Sequence, residues 1–244
     1  MRFTAMSHTG RLRRRWGVAG LLAASLAGPL QAAERLRICL ADDPPLASAT
    51  GAGILPELIS AMAGLPGAPA LRVEVAPFKR SLNNLALGLC DIHLPLIDSP
   101  EVSQVLPGLR LAGQPLFSVE FVIATRSRLS AQELAHPDTL HLETDLAHVE
   151  LFPFAVAPST CLVCSLRKVN LGRIDGVLFA AREIQTAIAE HNLPPLQLNH
   201  YRRFNAYAVV RRGAEGELAA RRWQSLRLQL ERDGRYQRLL VPLH

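Results

Sequence analysis

The chain has 244 residues, 49% of them hydrophobic, 20% charged and 5% aromatic. That balance excludes a disordered or collagen-like chain and, with only one long apolar segment, a polytopic membrane protein. The formal charge of +6 points less to nucleic acid than it first suggests: Arg2, Arg11, Arg13, Arg14 and Arg15 supply five of the 27 basic residues, and no Asp or Glu precedes Glu34. Beyond residue 33, 22 basic residues face 21 acidic ones, so counterion release gives nucleic acid no hold on that part.

Residues 1–33 read as a secretory signal. A charged stretch from Arg11 to Arg15 precedes twelve mostly apolar residues, Trp16 to Ala27; Gly28-Pro29 breaks the run before Gln31-Ala32-Ala33. Twelve residues fall short of the roughly 20 that span a bilayer. The expectation is cleavage after Ala32 or Ala33, export to the periplasm, and a mature chain with no membrane span. In an oxidising compartment the even set Cys39, Cys90, Cys161 and Cys164 is expected to pair. Four cysteines allow three connectivities, and spacing alone selects none.

In chain order, 36–40 is a short strand stopped by Ala-Asp-Asp-Pro-Pro. Leu55, Leu58, Ile59 and Met62 share one face of a helix over 54–62 that Gly64 closes. A strand over 71–75, a helix over 79–89 and a strand over 91–97 complete β-α-β-α-β, the pattern of an open parallel sheet covered by helices. The second half alternates less clearly: strands over 117–125 and 139–144, a helix over 163–171, a strand over 174–179, a helix over 180–191, a strand over 204–210 and a helix over 217–230. Leu-Gly-Arg-Ile-Asp-Gly at 171–176 echoes Leu-Gly-Leu-Cys-Asp-Ile at 87–92. Each places a glycine helix stop just before an aspartate that opens a strand, a pseudo-repeat of two α/β units.

The order and spacing of 36–45, 53–62, Pro77-Phe78-Lys79-Arg80 through Asp91, Gln114-Pro115-Leu116 into Phe121–Ala124, Gly172–Gly176, 207–211 and 230–236 resemble the periplasmic solute-binding proteins of the amino-acid-binding type. The resemblance implies an α/β fold of two lobes, each an open sheet flanked by helices, joined by two hinge strands near 119–125 and 204–211. Lobe one would comprise 34–122 with 208–244, lobe two 123–207, and a ligand would lie between them, beyond the strand C-termini. It also makes the first and third strands neighbours, so a Cys39–Cys90 bridge becomes feasible. The arginine that clamps an amino-acid carboxylate in that family falls on Val102, and the acid that receives the ammonium falls on Ala180. Both halves of a zwitterion clamp are missing, so the expected ligand is a small polar solute other than a standard α-amino acid. Cys39 early and Cys90-Asp91 later are similar to the solute-binding-like accessory proteins of periplasmic quinoprotein dehydrogenases.

Candidate ligand residues follow from these places. Asp42 and Asp43 end the first strand, where they either accept hydrogen bonds from a cationic ligand or cap a turn. Arg80 sits early in a helix whose family counterpart can face the cleft, with a solvated surface arginine as the equal alternative, and Asp98 and Ser99 leave the third strand at the same rim. In the second lobe, Thr144, Asp145, Ser159 and Thr160 lie in loops that could point at the cleft. Arg182 and Glu183 occupy the place where second-lobe ligand contacts begin in the family, though an exposed pair in a helix first turn is the preferred reading. Cys161-Leu-Val-Cys164 at a helix start reads either as a local structural disulfide or as a redox dithiol or half of a metal site. His136, His141 and His148 read as surface histidines before opportunistic metal ligands, and the paired arginines at 202–203, 211–212 and 221–222 as a solvated face before a docking surface for an acidic partner. No cofactor motif occurs: there is no phosphate loop, nucleophile elbow or His-Glu-x-x-His.

The expected function is therefore a monomeric, non-enzymatic periplasmic binder that hands a solute to an ABC permease. Two alternatives stand beside it: an accessory protein of a periplasmic dehydrogenase, and an enzyme resembling the cyclohexadienyl dehydratases, which share this scaffold.

Overall fold

A computed structural model describes residues 35–101 and 106–243. The expected leader and Val102 lie outside those residues, and no described helix is long and apolar enough to cross a membrane. The elements are β1 (Arg35–Ala41), α1 (Ile54–Ala63), β2 (Ala70–Ala76), α2 (Phe78–Ala86), β3 (Ile92–Ile97), β4 (Leu109–Thr125), α3 (Ala131–Ala135), β5 (Leu142–Asp145), β6 (Ala157–Ser159), α4 (Leu162–Asn170), β7 (Gly176–Ala180), α5 (Ala181–Glu190), β8 (Gln197–Arg211), α6 (Ala214–Arg232) and α7 (Arg235–Leu240).

The strands form one mixed sheet in the order β2-β1-β3-β8-β4-β7-β5-β6. Its centre is the long antiparallel pair β4–β8, which runs from Leu109↔Arg211 to Thr125↔Gln197. One end of β8 carries β3, between Val209 and Ala206, and behind β3 come the parallel strands β1 and β2. The opposite end of β4 carries β7, from Phe121↔Ala180 to Thr125↔Gly176, and then the parallel β5 and β6. Two three-stranded groups thus hang from opposite ends of a shared pair. Each group is parallel, needs both faces covered and has helices to cover them.

Core composition follows the periodicity. Helix α1 buries Leu55, Leu58, Ile59 and Met62 in a cluster that also takes Trp223, Leu226 and Leu230 from α6. Leu82 and Leu85 of α2 pack on the other face with Cys39 and Cys90. In the second group Leu166, Val169 and Ile184 meet Val122 and Val177.

Two strands are longer than their sequence signals. Strand β4 begins at Leu109, eight residues before the expected start, because Gly113-Gln114-Pro115 is absorbed as an irregularity: the register with β8 shifts between Ala112 and Phe117, and Gly113 takes φ +70°. Strand β8 starts at Gln197 rather than 204; its first half, Gln-Leu-Asn-His-Tyr-Arg-Arg, lacks an apolar alternation and is held by pairing with β4. The short α3, β6 and α7 carried no legible pattern.

The pseudo-repeat has a shared physical basis. Asp91 accepts from the Arg37 N–H at 2.8 Å while its own N–H donates to the Arg37 carbonyl at 2.9 Å. Asp175 does the same with His141, at 2.7 and 3.0 Å. Each aspartate pins the start of one strand to its parallel neighbour. The preceding glycines, Gly88 (φ +74°) and Gly172 (φ +68°), lie under the guanidinium groups of Arg211 and Arg126, where a Cβ would come within 3.0 Å of Nη1. Arg211 Nη1 also donates to the Leu85 and Cys90 carbonyls at 3.1 and 3.0 Å, satisfying the end of α2. Arg211 is therefore a structural cap and not part of a solvated face.

Both disulfides are present: Cys39–Cys90 links β1 to the segment entering β3, with Cα atoms 6.0 Å apart, and Cys161–Cys164 closes a four-residue loop at the start of α4, with Cα atoms 5.2 Å apart. The local-disulfide reading of Cys161 and Cys164 matches this arrangement, and among the described residues no cluster could hold a metal ion.

Candidate functional site

The parallel strands of the two groups point their C-terminal ends at a common cavity. Ala41 and Asp43 line it from the end of β1, Pro95 and Ile97 from β3, and Phe179 and Ala180 from β7. Its floor is the middle of the shared pair: Phe117, Val119 and Phe121 of β4 with Ala206 of β8. Strand ends and a helix start converge there, the usual place for a ligand in open α/β sheets. Phe78 at the start of α2, Arg182 and Glu183 in the first turn of α5, and His148 complete the wall.

The cavity holds about 50 Å³, room for roughly four waters at 10–15 Å³ each. It is narrow because aromatic rings fill it. The His148 ring lies 5.7 Å from Phe78, 5.9 Å from Phe121 and 5.3 Å from Phe179. Around this cluster the two groups touch directly. The Ser99 hydroxyl lies 2.6 Å from the Leu151 carbonyl oxygen and also against the Glu101 carboxylate, and Lys79 Nζ stands 4.0 Å from Glu150.

Two carboxylates, Asp43 and Glu183, and one guanidinium, that of Arg182, bring charge to the cavity. Asp43 is pushed up to about 6, first by burial and then by the charge of Glu183, with His148 opposing. Glu183 presents a buried Oε2 that has no hydrogen-bond partner. Asp145 sits behind His148, with 3.6 Å between its Oδ1 and His148 Nδ1, an ion-pair distance rather than a hydrogen bond. Burial would raise Asp145, but the His148 ring and the Ala147 N–H at 2.7 Å together hold it below the usual carboxylate range.

The residues anticipated for the ligand divide sharply. Asp43 enters the cavity. Thr160 lines an open groove of about 430 Å³ at its mouth, together with Pro44, Pro45, Cys161, Arg182 and Glu183. The others serve the framework. Asp42 is exposed and accepts from the Ala49 N–H at 3.1 Å, the turn-capping alternative. Arg80 is exposed on α2 and is not part of the cavity wall. Asp98 spends its oxygens on Asn205, taking the N–H at 2.7 Å and Nδ2 at 3.0 Å, which ties β3 to β8. Ser99 is buried in the link to Leu151. Thr144 is buried behind Phe179, in a separate void of about 30 Å³. Ser159 accepts from the Cys161 N–H at 3.2 Å and from the Ser165 hydroxyl at 2.8 Å, so it helps start α4.

Three wall features run against the preferred expectation. His148 is 18% exposed and enclosed by rings, not a surface histidine. Arg182 and Glu183 face the cavity instead of forming an exposed pair. Four of the eight phenylalanines in the sequence, at 78, 117, 121 and 179, line this one cavity. Ala180 does stand in the wall at the N-cap of α5, where the family's ammonium-binding acid was sought.

The chain has the fold of the type II periplasmic binding proteins: a mixed α/β structure with an eight-stranded sheet flanked by helices. A histidine kinase sensor domain described as similar to periplasmic binding proteins matches with a TM-score of 0.67 at 20% identity, covering 86% of this chain and 95% of its own. A substrate-binding protein of an ABC uptake transporter from Streptococcus pneumoniae, with histidine bound, matches with a TM-score of 0.63 at 15% identity, covering 86% and 92%. The ancestral amino-acid-binding protein AncCDT-1, a precursor of cyclohexadienyl dehydratase, matches with a TM-score of 0.60 at 18% identity, covering 86% and 95%. No protein-family model matches the sequence, and no curated protein sequence does. A sensor, a transport component and an enzyme precursor thus share this fold, so function has to be argued from the site.

Proposed function

We propose that the chain is a periplasmic solute-binding protein that captures a small ligand between two lobes, 34–122 with 208–244 and 123–207, and presents it to an ABC importer. Residues 1–33 would direct its export and be removed, and β4 and β8 would act as the hinge. The observation that carries this reading is the cavity itself, which collects the C-terminal ends of β1, β3 and β7 over the strand pair that joins the two groups. Closure would shift an open–closed equilibrium by the ligand's differential affinity for the closed form. Ala180 in the wall supports a ligand other than a standard α-amino acid. The test is thermal unfolding of the mature chain across a panel of small metabolites. A concentration-dependent rise in Tm for a ligand class supports capture, whereas no rise for any compound argues against it.

One observation favours a second reading. The aromatic cluster and the Ser99–Leu151 contact already join the two groups with little free volume left, as suits a derivative that binds a protein, such as a periplasmic dehydrogenase, instead of a solute. Retention of the unliganded chain by that enzyme, with no metabolite effect on Tm, would select it.

A further inference from the structure

The wall of the cavity combines three properties that together specify the chemistry of an occupant. Its charge is acidic: Asp43 and Glu183 face one guanidinium, that of Arg182, and two further carboxylates, Asp42 and Asp145, act on Asp43 from just outside the wall. The rest is largely apolar and aromatic, with Phe78, Phe117, Phe121 and Phe179 presented to the space. Its free space is small, at about 50 Å³, so an occupant has to be compact and the two groups have to part to admit it. The buried Glu183 Oε2 lacks a hydrogen-bond partner, and a buried carboxylate oxygen left that way is costly. Aromatic faces together with buried carboxylates attract a cation with an apolar body and offer little to a neutral polar molecule or an anion.

Resting on the solute-capture reading, we propose that the cavity formed by Asp43, Glu183 and the rings of Phe78, Phe121 and Phe179 selects a compact organic cation, an alkylated or quaternary amine without a carboxylate. Its ammonium would sit between the two carboxylates, and its alkyl groups would lie against the rings that His148 holds together. The missing zwitterion clamp then has a positive meaning: Ala180 leaves its place in the wall apolar, which suits an alkyl group and not an amino acid.

The probes are choline and tetramethylammonium, with 3,3-dimethylbutanol as the neutral isostere of choline, glycine and histidine as zwitterions, and acetate as an anion. Calorimetric titration of the mature wild-type chain at pH 7.5 is expected to give choline an affinity at least tenfold above that of 3,3-dimethylbutanol, with glycine, histidine and acetate weaker still. Asp43→Asn and Glu183→Gln should each lower choline affinity at least tenfold and leave the binding of 3,3-dimethylbutanol within about twofold. Lowering the pH to 5 should weaken choline roughly tenfold, because Asp43, pushed up to about 6, takes up its proton and no longer offers a negative charge. Equal affinity for choline and its neutral isostere, or tighter binding of an amino acid or an anion, would overturn the cation assignment and leave solute capture standing. No binding by any probe class, with no Tm response across the wider panel, would overturn both. The choline–isostere comparison uses the wild type alone, so an unstable variant does not obscure the result.

Discussion

Breaking the Cys39–Cys90 bridge should cost the protein much of its stability, and the expected size follows from where the bridge sits. Its cysteines are 51 residues apart and fully buried, 1% and 2% exposed, between β1 and the entry to β3. In the chain-entropy model, releasing a loop of that length from the unfolded state is worth about 4 kcal/mol, against about 2 kcal/mol for the four-residue Cys161–Cys164 loop. The clean experiment uses a Cys161→Ala/Cys164→Ala background, in which urea unfolding of the oxidised and fully reduced forms differs by the long bridge alone. The expected loss is about 4 kcal/mol, a fall in Tm of about 8–16 °C for a domain of this size. Oxidised and reduced forms agreeing within about 1 kcal/mol would refute the reasoning. So would a larger effect from the short loop.

Three further outcomes follow from specific contacts. Asn199 is buried; it accepts from the Leu129 N–H at 2.9 Å and donates to the Ile123 carbonyl at 3.0 Å and the Thr125 hydroxyl at 2.8 Å. Asn199→Leu should orphan the Leu129 N–H and destabilise by about 1–3 kcal/mol in urea unfolding. Arg211→Met removes two bonds from a charged donor to the end of α2 and should cost about 2 kcal/mol, read as a lower Tm and faster hydrogen exchange at Leu87–Cys90. Because the Asp43 carboxyl is pushed up to about 6 in the folded state from an ordinary 3.8, the folded state holds its proton more tightly. Stability should therefore fall as pH rises from about 4 to 6, by up to about 3 kcal/mol. Asp43→Asn should abolish that component and be the more stable protein at pH 7.5, as measured by urea midpoints across pH 4–8.

The framework was legible where local pattern and tertiary demand agree. Leu55, Leu58, Ile59 and Met62 announced α1, and the Gly-before-Asp punctuation at 88–91 and 172–175 marked two units that share the same strand-pinning bonds. The chain hid its structure where pairing overrides local preference, as in Gly113-Gln114-Pro115, which looks like a break and lies inside β4, or in the polar start of β8. The site was legible only in part. Asp43 could be placed at a strand end beside a Pro-Pro stop, but nothing local says that Asp98 will be spent on Asn205 or that Arg80 will point away. His148 and the phenylalanines at 78, 121 and 179 come from four separate segments, and only the fold brings their rings together. The available signal was scarcity: in a chain with 5% aromatic residues, strand phenylalanines near ends that converge are candidates for a cavity wall.

The central claim is that the two groups of strands move on β4 and β8 to enclose a ligand. Small-angle scattering of the mature chain, titrated with a compound that raises its Tm, tests this most directly. The account predicts a fall in radius of gyration that saturates with the binding isotherm. A scattering curve unchanged at full occupancy would contradict it.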